Sequence, residues 1–285
     1  MTKIKTQTPM TQSQVRTGRA YRYRNFCNER GVTLVEATVV LAVTAILVAI
    51  LAPAAGTYMD QARLARARED VHVIGDALTT FIDDNGEHML LRNGSNGAAV
   101  QTPPTRADAN RVELLISDGD VPSLGNAVLG ETYWTQTLAS GAWVDTISNH
   151  LAENNPGETL GNRYRQPVDI TITPVGNNID FARAESSGFN APYAWRGAYL
   201  RSPLDADPWG NRYSVNVAFL DPRIDAAPVA VNGTITSGFT TADYPRLDVF
   251  VISAGPDEEI DTKSAQDGAV AGDDDIIYVM SSNAK

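Results

Sequence analysis

The chain has 285 residues, of which 43% are hydrophobic and 20% are charged, a composition that predicts a folded protein and excludes a wholly disordered one. Its net charge of −11 is unevenly distributed, because residues 1–31 carry seven basic side chains and one acid, whereas residues 32–285 carry a net charge of −17. A body this acidic repels nucleic acid phosphates, so we expect no nucleic acid partner. The single cysteine, Cys27, lies in the basic segment, which excludes a disulfide within residues 32–285.

A long apolar segment follows the basic residues. It begins at Val32 and continues to Ala52, which is long enough to cross a bilayer as a helix. The positive charges before it predict that this end stays in the cytoplasm. A secretory signal peptide has small residues for cleavage after its apolar segment, whereas here a glycine, Gly31, precedes it. The segment is therefore predicted to be a single-pass anchor.

One acid interrupts this apolar sequence. Glu36 lies five residues after Gly31, and a charge inside a bilayer costs about 2.5–3.5 kcal/mol, which marks a functional residue. A basic leader, Gly31, a hydrophobic residue and Glu36 in this register resemble the N-terminus of type IV pilins, and Pro53 stands where many of them have a proline. The resemblance implies cleavage after Gly31 by a prepilin peptidase, N-methylation of Val32, and a homopolymer in which Glu36 pairs with a neighbour's amino terminus. The alternative is a signal anchor with an accidental acid near the membrane edge.

The pattern changes after Pro53, which is expected to kink or loosen the helix. Apolar residues then recur at spacings of three and four, as in a helix that packs one face on a core: Ala67, Val71, Ile74, Leu78 and Phe81. Asn85-Gly86 is predicted to end this helix. We therefore predict one helix over residues 32–86, with a transmembrane and assembly segment at residues 32–55.

The rest of the chain is predicted to form a globular head, giving an α+β fold in which the long helix packs on a C-terminal antiparallel sheet. Residues 87–197 have weak periodicity and many turn signals, and are predicted to be a variable, loop-rich insertion with a short helix near Val144–Glu153 and a strand at Val168–Thr173. In residues 198–285, alternating apolar residues predict half-buried strands over Tyr213–Phe219 and Leu247–Val251.

A turn motif precedes the first of these strands. Asp207–Tyr213 reads Asp-Pro-Trp-Gly-Asn-Arg-Tyr, in which Pro208 and Gly210 permit a tight turn. Asn211 tolerates unusual backbone angles, and Trp209 is predicted to be a core aromatic. The motif resembles the signature turn of the major pseudopilins of type II secretion. That resemblance implies a structural subunit that meets an inner-membrane assembly platform and minor pseudopilins.

The most chemically distinctive segment is an acidic loop at residues 253–276. Its eight acids face one base, Lys263, and a hard divalent cation relieves their mutual repulsion. Calcium takes six to eight oxygen ligands in a flexible cage, which suits a loop punctuated by glycines.

The loop is similar to the calcium-binding loop of major pseudopilins in Ser253-x-Gly255-x-Asp257 and in Asp275-Ile276. The resemblance implies Asp257 and Asp275 as ligands, although Glu258 stands where a glycine is usual and the segment is longer. Further candidate ligands are Asp261, Asp267 and Asp273. The alternative is a solvated acidic loop that holds no metal.

Catalytic motifs do not stand out in the sequence. His72, His88 and His150 are scattered without metal-ligand spacing, His72 is expected to be exposed, and neither a nucleophile elbow nor a phosphate-binding glycine loop occurs. We therefore predict a structural protein rather than an enzyme, anchored in a bacterial inner membrane with its head in the periplasm. Three interpretations stay open: a pseudopilus subunit, a subunit of a surface pilus that displays residues 87–197, and a membrane-anchored periplasmic enzyme or binding protein.

Overall fold

The computed structural model describes residues 32–85, 90–92, 111–140, 143–158, 164, 195–201, 204–220 and 247–280. The leader with Gly31, the proposed helix terminator Gly86, His88 and the predicted strand Val168–Thr173 lie outside these residues. The chain divides into two compact units, residues 1–54 and residues 55–285.

The predicted long helix is present as α1, which runs over Leu34–Asn85 and includes Pro53. It begins at a side-chain cap, because the Glu36 amide donates a hydrogen bond to the Thr33 hydroxyl at 3.2 Å. At its end the Asn85 side chain donates to the carbonyl of Phe81 at 2.9 Å.

A five-stranded mixed sheet confirms the α+β class. Its strands are β1 (Leu114–Ile116), β3 (Val144–Thr146), β4 (Ser214–Val215), β5 (Phe250–Ser253) and β7 (Ile276–Val279), in the order β3-β1-β4-β5-β7. The short strands β2 (Ser123–Leu124) and β6 (Glu259–Ile260) pair separately in parallel.

The sheet differs from the predicted antiparallel one in a single pair, β1 and β3, which run parallel. Parallel strands need a crossover of a dozen or more residues, and residues 117–143 provide it. Both strands come from the segment predicted to be a loop-rich insertion, so the described part of residues 87–197 contributes to the central sheet. The short helix predicted near Val144–Glu153 is α2 (Ile147–Leu151), and β3 occupies the preceding residues.

The second half of α1 packs on the sheet through its predicted apolar face. All five predicted positions are buried: Ala67, Val71, Ile74, Leu78 and Phe81. Three tyrosines of the head donate hydrogen bonds to aspartates of α1, namely Tyr213 to Asp70 at 2.8 Å, Tyr278 to Asp76 at 2.9 Å and Tyr199 to Asp84 at 3.0 Å. Apolar burial and these hydrogen bonds together fasten residues 67–85 to the head.

The predicted half-buried strands are instead buried on both faces. Val251 pairs with Tyr278, whose ring lies over Gly75 of α1, so this side of β5 faces the helix. Phe250 points the opposite way and contacts the ring of Trp134, which covers the other face. Alternation of apolar residues predicts that one face of the strand is solvated. That prediction is wrong, because residues distant in sequence cover this face.

The strand predicted over Tyr213–Phe219 is also shorter than expected, because β4 ends at Val215. The next residue, Asn216, is fully buried, and its side chain accepts from the Phe250 amide at 2.7 Å and donates to the Asp248 and Ser264 carbonyls. These side-chain bonds replace strand pairing, and Val217–Phe219 forms a 3-10 turn.

Candidate functional site

The N-terminal candidates lie at the start of α1. Val32 precedes the helix, Thr33 caps it, and Glu36 lies exposed in its first turn. An acid at this position also interacts favourably with the helix dipole, and Thr33 with Glu36 has the spacing of a capping box. Within the described residues Glu36 makes no ion pair. Gly31, the predicted cleavage residue, lies outside the described residues.

The first half of α1 exposes its apolar side chains. This helix, by length and composition, could span a membrane: an 18-residue stretch has a mean hydropathy of 2.6 and none of it is buried. The hydroxyls of Thr38 and Thr44 donate to helix carbonyls at 2.8 and 2.9 Å, so they need no water. Such a segment suits lipid or the apolar helices of other subunits.

The turn at Asp207–Tyr213 is organised by its first residue. One carboxylate oxygen of Asp207 accepts from the amides of Trp209, Gly210 and Asn211 at 2.9–3.0 Å. The positive φ of this turn, +104°, lies at Gly210. Asn211 was expected to tolerate unusual backbone angles, but it is not the residue that adopts one. Trp209 is half-buried against the core, as predicted.

The other oxygen of Asp207 accepts from the hydroxyl of Ser253 at 2.7 Å. Ser253 is the first residue of the acidic loop, so the turn and the loop that resemble pseudopilin motifs are directly joined.

Two groups of three acids in the loop bring carboxylate oxygens within 4.8 Å of one another. The first is Asp257, Asp273 and Asp274; the second is Asp257, Glu259 and Asp261. Asp257 belongs to both. Of the predicted ligands, Asp257, Asp261 and Asp273 therefore lie in such groups, and the exposed Asp267 does not.

Asp275, a predicted ligand, belongs to neither of these two groups, and its side chain is buried. One of its oxygens accepts three hydrogen bonds, from the amides of Asp261 and Thr262 and from the Thr262 hydroxyl at 2.6–2.9 Å. Its other oxygen is buried and has no hydrogen-bond partner in the part of the chain that the structure describes. Burial raises the pKa of this carboxyl to about 7, against the opposing effect of those hydrogen bonds.

Asp274 and Glu259 are grouped acids that the sequence did not single out as ligands. Burial and the nearby Asp257 and Asp273 raise the pKa of Asp274, since like charges disfavour ionisation. The run of three consecutive aspartates was the available signal for Asp274. For Glu259 the available signal was its alternation with Asp257 and Asp261, each two residues away.

The histidines divide as follows within the described residues. His72 is exposed on α1, as predicted, and lies 3.1 Å from Asp76. His150 is fully buried, with its ring nitrogens 3.0 Å from Asp145 and 2.8 Å from the Tyr164 hydroxyl. His150 therefore belongs to the hydrogen-bonded interior of the head.

Comparison with known proteins matches residues 27–52 to the prokaryotic N-terminal methylation motif. No curated protein and no solved structure matches the chain. The matched residues include Gly31, Val32 and Glu36, and continue through the exposed apolar part of α1. The match covers the N-terminal motif alone, and this motif on a long, apolar helix suggests a type IV pilin-like protein that a prepilin peptidase processes.

Proposed function

We propose that this protein is a structural subunit of a type II secretion pseudopilus, polymerised through its N-terminal helix. The observation that carries the proposal is the methylation motif at the start of a helix whose first half exposes apolar surface, hydroxyls bonded to helix carbonyls and one acid, Glu36. Removal of the leader leaves an amino terminus close to Glu36, and repetition of one head-to-tail contact along a screw axis yields a filament. Its partners in this role are further copies of itself, prepilin peptidase, an inner-membrane assembly platform and minor pseudopilins.

The hydrogen bond between Asp207 and Ser253 supports a pseudopilus over a surface pilus. It unites the two motifs that resemble pseudopilins in one structure. The alternative, a surface pilus, was based on residues 87–197 as a region displayed at the surface. Strands β1 and β3 of that segment are instead part of the central sheet. Electron microscopy of fibres sheared from the cell surface separates the two, because a periplasmic pseudopilus leaves none there.

Processing is the first test of the proposal. In a cell containing a prepilin peptidase we expect cleavage between Gly31 and Val32, because the basic leader holds this bond at the cytoplasmic face. Intact mass and N-terminal sequencing of the mature chain measure it, and a Gly31→Ala variant should retain the leader. An intact Met1 terminus in the wild-type chain, or cleavage beyond the apolar segment, would refute the pilin-like role.

We further propose that the acidic loop binds a structural calcium ion. The support is the pair of three-acid groups that share Asp257, together with an oxygen of Asp275 that is buried and has no hydrogen-bond partner among the described residues. A divalent cation offsets the repulsion among these acids and supplies a partner for that oxygen. The residues thereby proposed as ligands are Asp257, Asp261, Asp273, Asp274 and Asp275, with Glu259 as an alternative.

Thermal unfolding of the mature full-length chain in nonionic detergent tests the calcium proposal. A cation that binds only the folded state stabilises it by about 2.7 kcal/mol at a hundredfold excess over its dissociation constant, so calcium should raise Tm relative to chelator. Asp257→Ala should remove most of this increase. Asp267→Ala is the matched control, because Asp267 lies in the same loop outside both groups. Magnesium should substitute poorly, since it requires a tighter octahedron. Equal Tm values with calcium and chelator would leave a solvated acidic loop.

A further inference from the structure

The acidic loop is held by a segment distant in sequence, residues 123–134, which we call the clasp. Strand β2 of the clasp pairs in parallel with β6 of the loop. The Ser123 amide donates to the Glu258 carbonyl at 3.2 Å, and the Gly125 amide donates to the Ile260 carbonyl at 2.9 Å. The clasp therefore follows the backbone of the loop along the stretch that carries its central acids.

Two buried side chains of the clasp extend this contact. The indole Nε1–H of Trp134 donates to the Thr262 carbonyl at 2.8 Å, and a carboxylate oxygen of Glu131 accepts from the Ser264 amide at 3.0 Å. Both side chains are fully buried. Thr262 in turn donates twice to Asp275, so the hydrogen bond from Trp134 holds the residue that orients that carboxylate.

The side chain of Asp261 packs directly against the backbone of the clasp. Its carboxylate accepts from the Ala127 amide at 3.3 Å, and a methyl group added at Gly125 would overlap that carboxylate. The backbone of Gly125, with φ −72°, is one that alanine adopts without strain. The absence of a side chain at Gly125 therefore serves the placement of Asp261 and not the turn itself.

We propose that the clasp is a positioning element that pre-organises the acidic loop for cation binding, with Trp134 and Gly125 as its positioning residues. Gathering acids that repel one another costs free energy, and hydrogen bonds from groups that are not themselves ligands can offset that cost. Hydrogen bonds from the clasp do this before a cation arrives, which reduces the ordering that binding must achieve. The effect on affinity rests on the calcium site proposed above.

The test compares two tryptophan substitutions in the mature full-length chain in nonionic detergent. Trp134→Phe removes the donor to Thr262 while keeping most of the ring. Trp195→Phe is the matched control, because Trp195 is also buried and donates its indole N–H to a carbonyl, that of His150 at 3.2 Å. Calorimetric titration with calcium should show an affinity about tenfold lower for Trp134→Phe and unchanged for Trp195→Phe.

Gly125→Ala gives a second variant that removes no hydrogen-bond donor. It should lower calcium affinity by displacing Asp261, whereas Gly56→Ala, where the added methyl meets open space, should not. Amide hydrogen exchange measured in chelator supplies a readout that needs no calcium. Residues 257–275 should exchange faster in Trp134→Phe and Gly125→Ala than in either control.

The outcomes separate the two proposals. A wild-type chain that does not bind calcium would refute the cation site, and the exchange comparison in chelator would still decide whether the clasp orders the loop. The proposed role of the clasp would be refuted if both clasp variants bound calcium with wild-type affinity. It would also be refuted if their residues 257–275 exchanged at the same rate as in the controls.

Discussion

Asp145 shows how much of the head depends on single buried polar residues. Its carboxylate accepts from the Thr146 amide, the Asn149 side chain, His150 and the Gly157 amide, at 2.6–3.0 Å. These contacts join β3, α2 and the turn that follows α2. Burial opposes the charge, yet the interactions with His150 and the other donors leave the pKa of Asp145 below its ordinary value of 3.8.

The lowered pKa of Asp145 predicts acid sensitivity. Because the folded state prefers the ionised form, Asp145 stabilises the fold above about pH 4, and this contribution is lost as pH falls through the folded-state pKa. Asp145→Asn should reduce the free energy of unfolding by about 2–4 kcal/mol at pH 7, and the difference from wild type should shrink toward pH 3. Urea unfolding of the mature chain at successive pH values measures this.

Asp83→Asn provides the control for that series. Asp83 is exposed on α1, so its substitution should change the free energy of unfolding little at any of these pH values. A constant difference between Asp145→Asn and wild type from pH 7 to pH 3 would contradict the assignment.

At the scale of one element, α1 has two surfaces with different requirements. Residues 34–53 are exposed and apolar except for Glu36, Thr38 and Thr44, whereas from Ala67 onward one face is buried against the head. Gly75 lies on that buried face beneath the ring of Tyr278, and a methyl group there would overlap the ring. Helix propensity alone favours alanine over glycine by about 1 kcal/mol, so steric fit and propensity oppose each other at this position.

The contact with Tyr278 predicts that steric fit prevails. Gly75→Ala should lower Tm of the mature chain, because overpacking costs about 1–3 kcal/mol and displaces the Tyr278 hydrogen bond to Asp76. Gly56→Ala in the same helix has open space and should raise Tm slightly. In a chain that already carries Tyr278→Ala, Gly75→Ala should no longer lower Tm, because the ring with which the methyl group overlaps is gone. An increase in Tm for Gly75→Ala, like that expected for Gly56→Ala, would contradict the steric overlap with Tyr278.

At the scale of the whole molecule, the two compact units serve different parts of the proposed filament. The N-terminal unit supplies the methylation motif and the apolar surface for assembly, and the unit from Ala55 supplies the folded head. The proposed filament assigns Glu36 the task of pairing with a neighbour's amino terminus, and its position three residues after Thr33 suits a second task, completing the helix cap.

Substitution of Glu36 separates these tasks. Glu36→Ala should leave processed, folded monomers that assemble poorly, because an acid that pairs in an apolar filament core would be lost. Glu36→Gln keeps the capping ability but not the charge, so it should fail equally if pairing is what matters. Glu69→Ala, an exposed acid farther along α1, should assemble normally. Filament yield by electron microscopy decides, and normal filaments from Glu36→Ala would exclude the pairing.

Local features of this protein were readable from the sequence by itself. The apolar segment, the bounds of α1 and its buried face at Ala67, Val71 and Ile74 follow from composition and a repeat of 3.6 residues, which depend on neighbours in the chain. The processing motif is likewise a continuous run of residues, and the comparison with known proteins confirms it.

Features that depend on residues far apart in the chain became visible in the folded structure alone. The parallel pairing of β1 with β3, the covering of the outer sheet face by Trp134 and the bonds of Asn216 that end β4 arise from contacts between distant segments. The acidic loop was visible in the sequence, but the grouping of its acids was not. Carboxylate positions within a few ångströms depend on how the clasp and the Asp207 turn hold the backbone, and no local pattern encodes contacts between residues that are 128 and 46 positions apart.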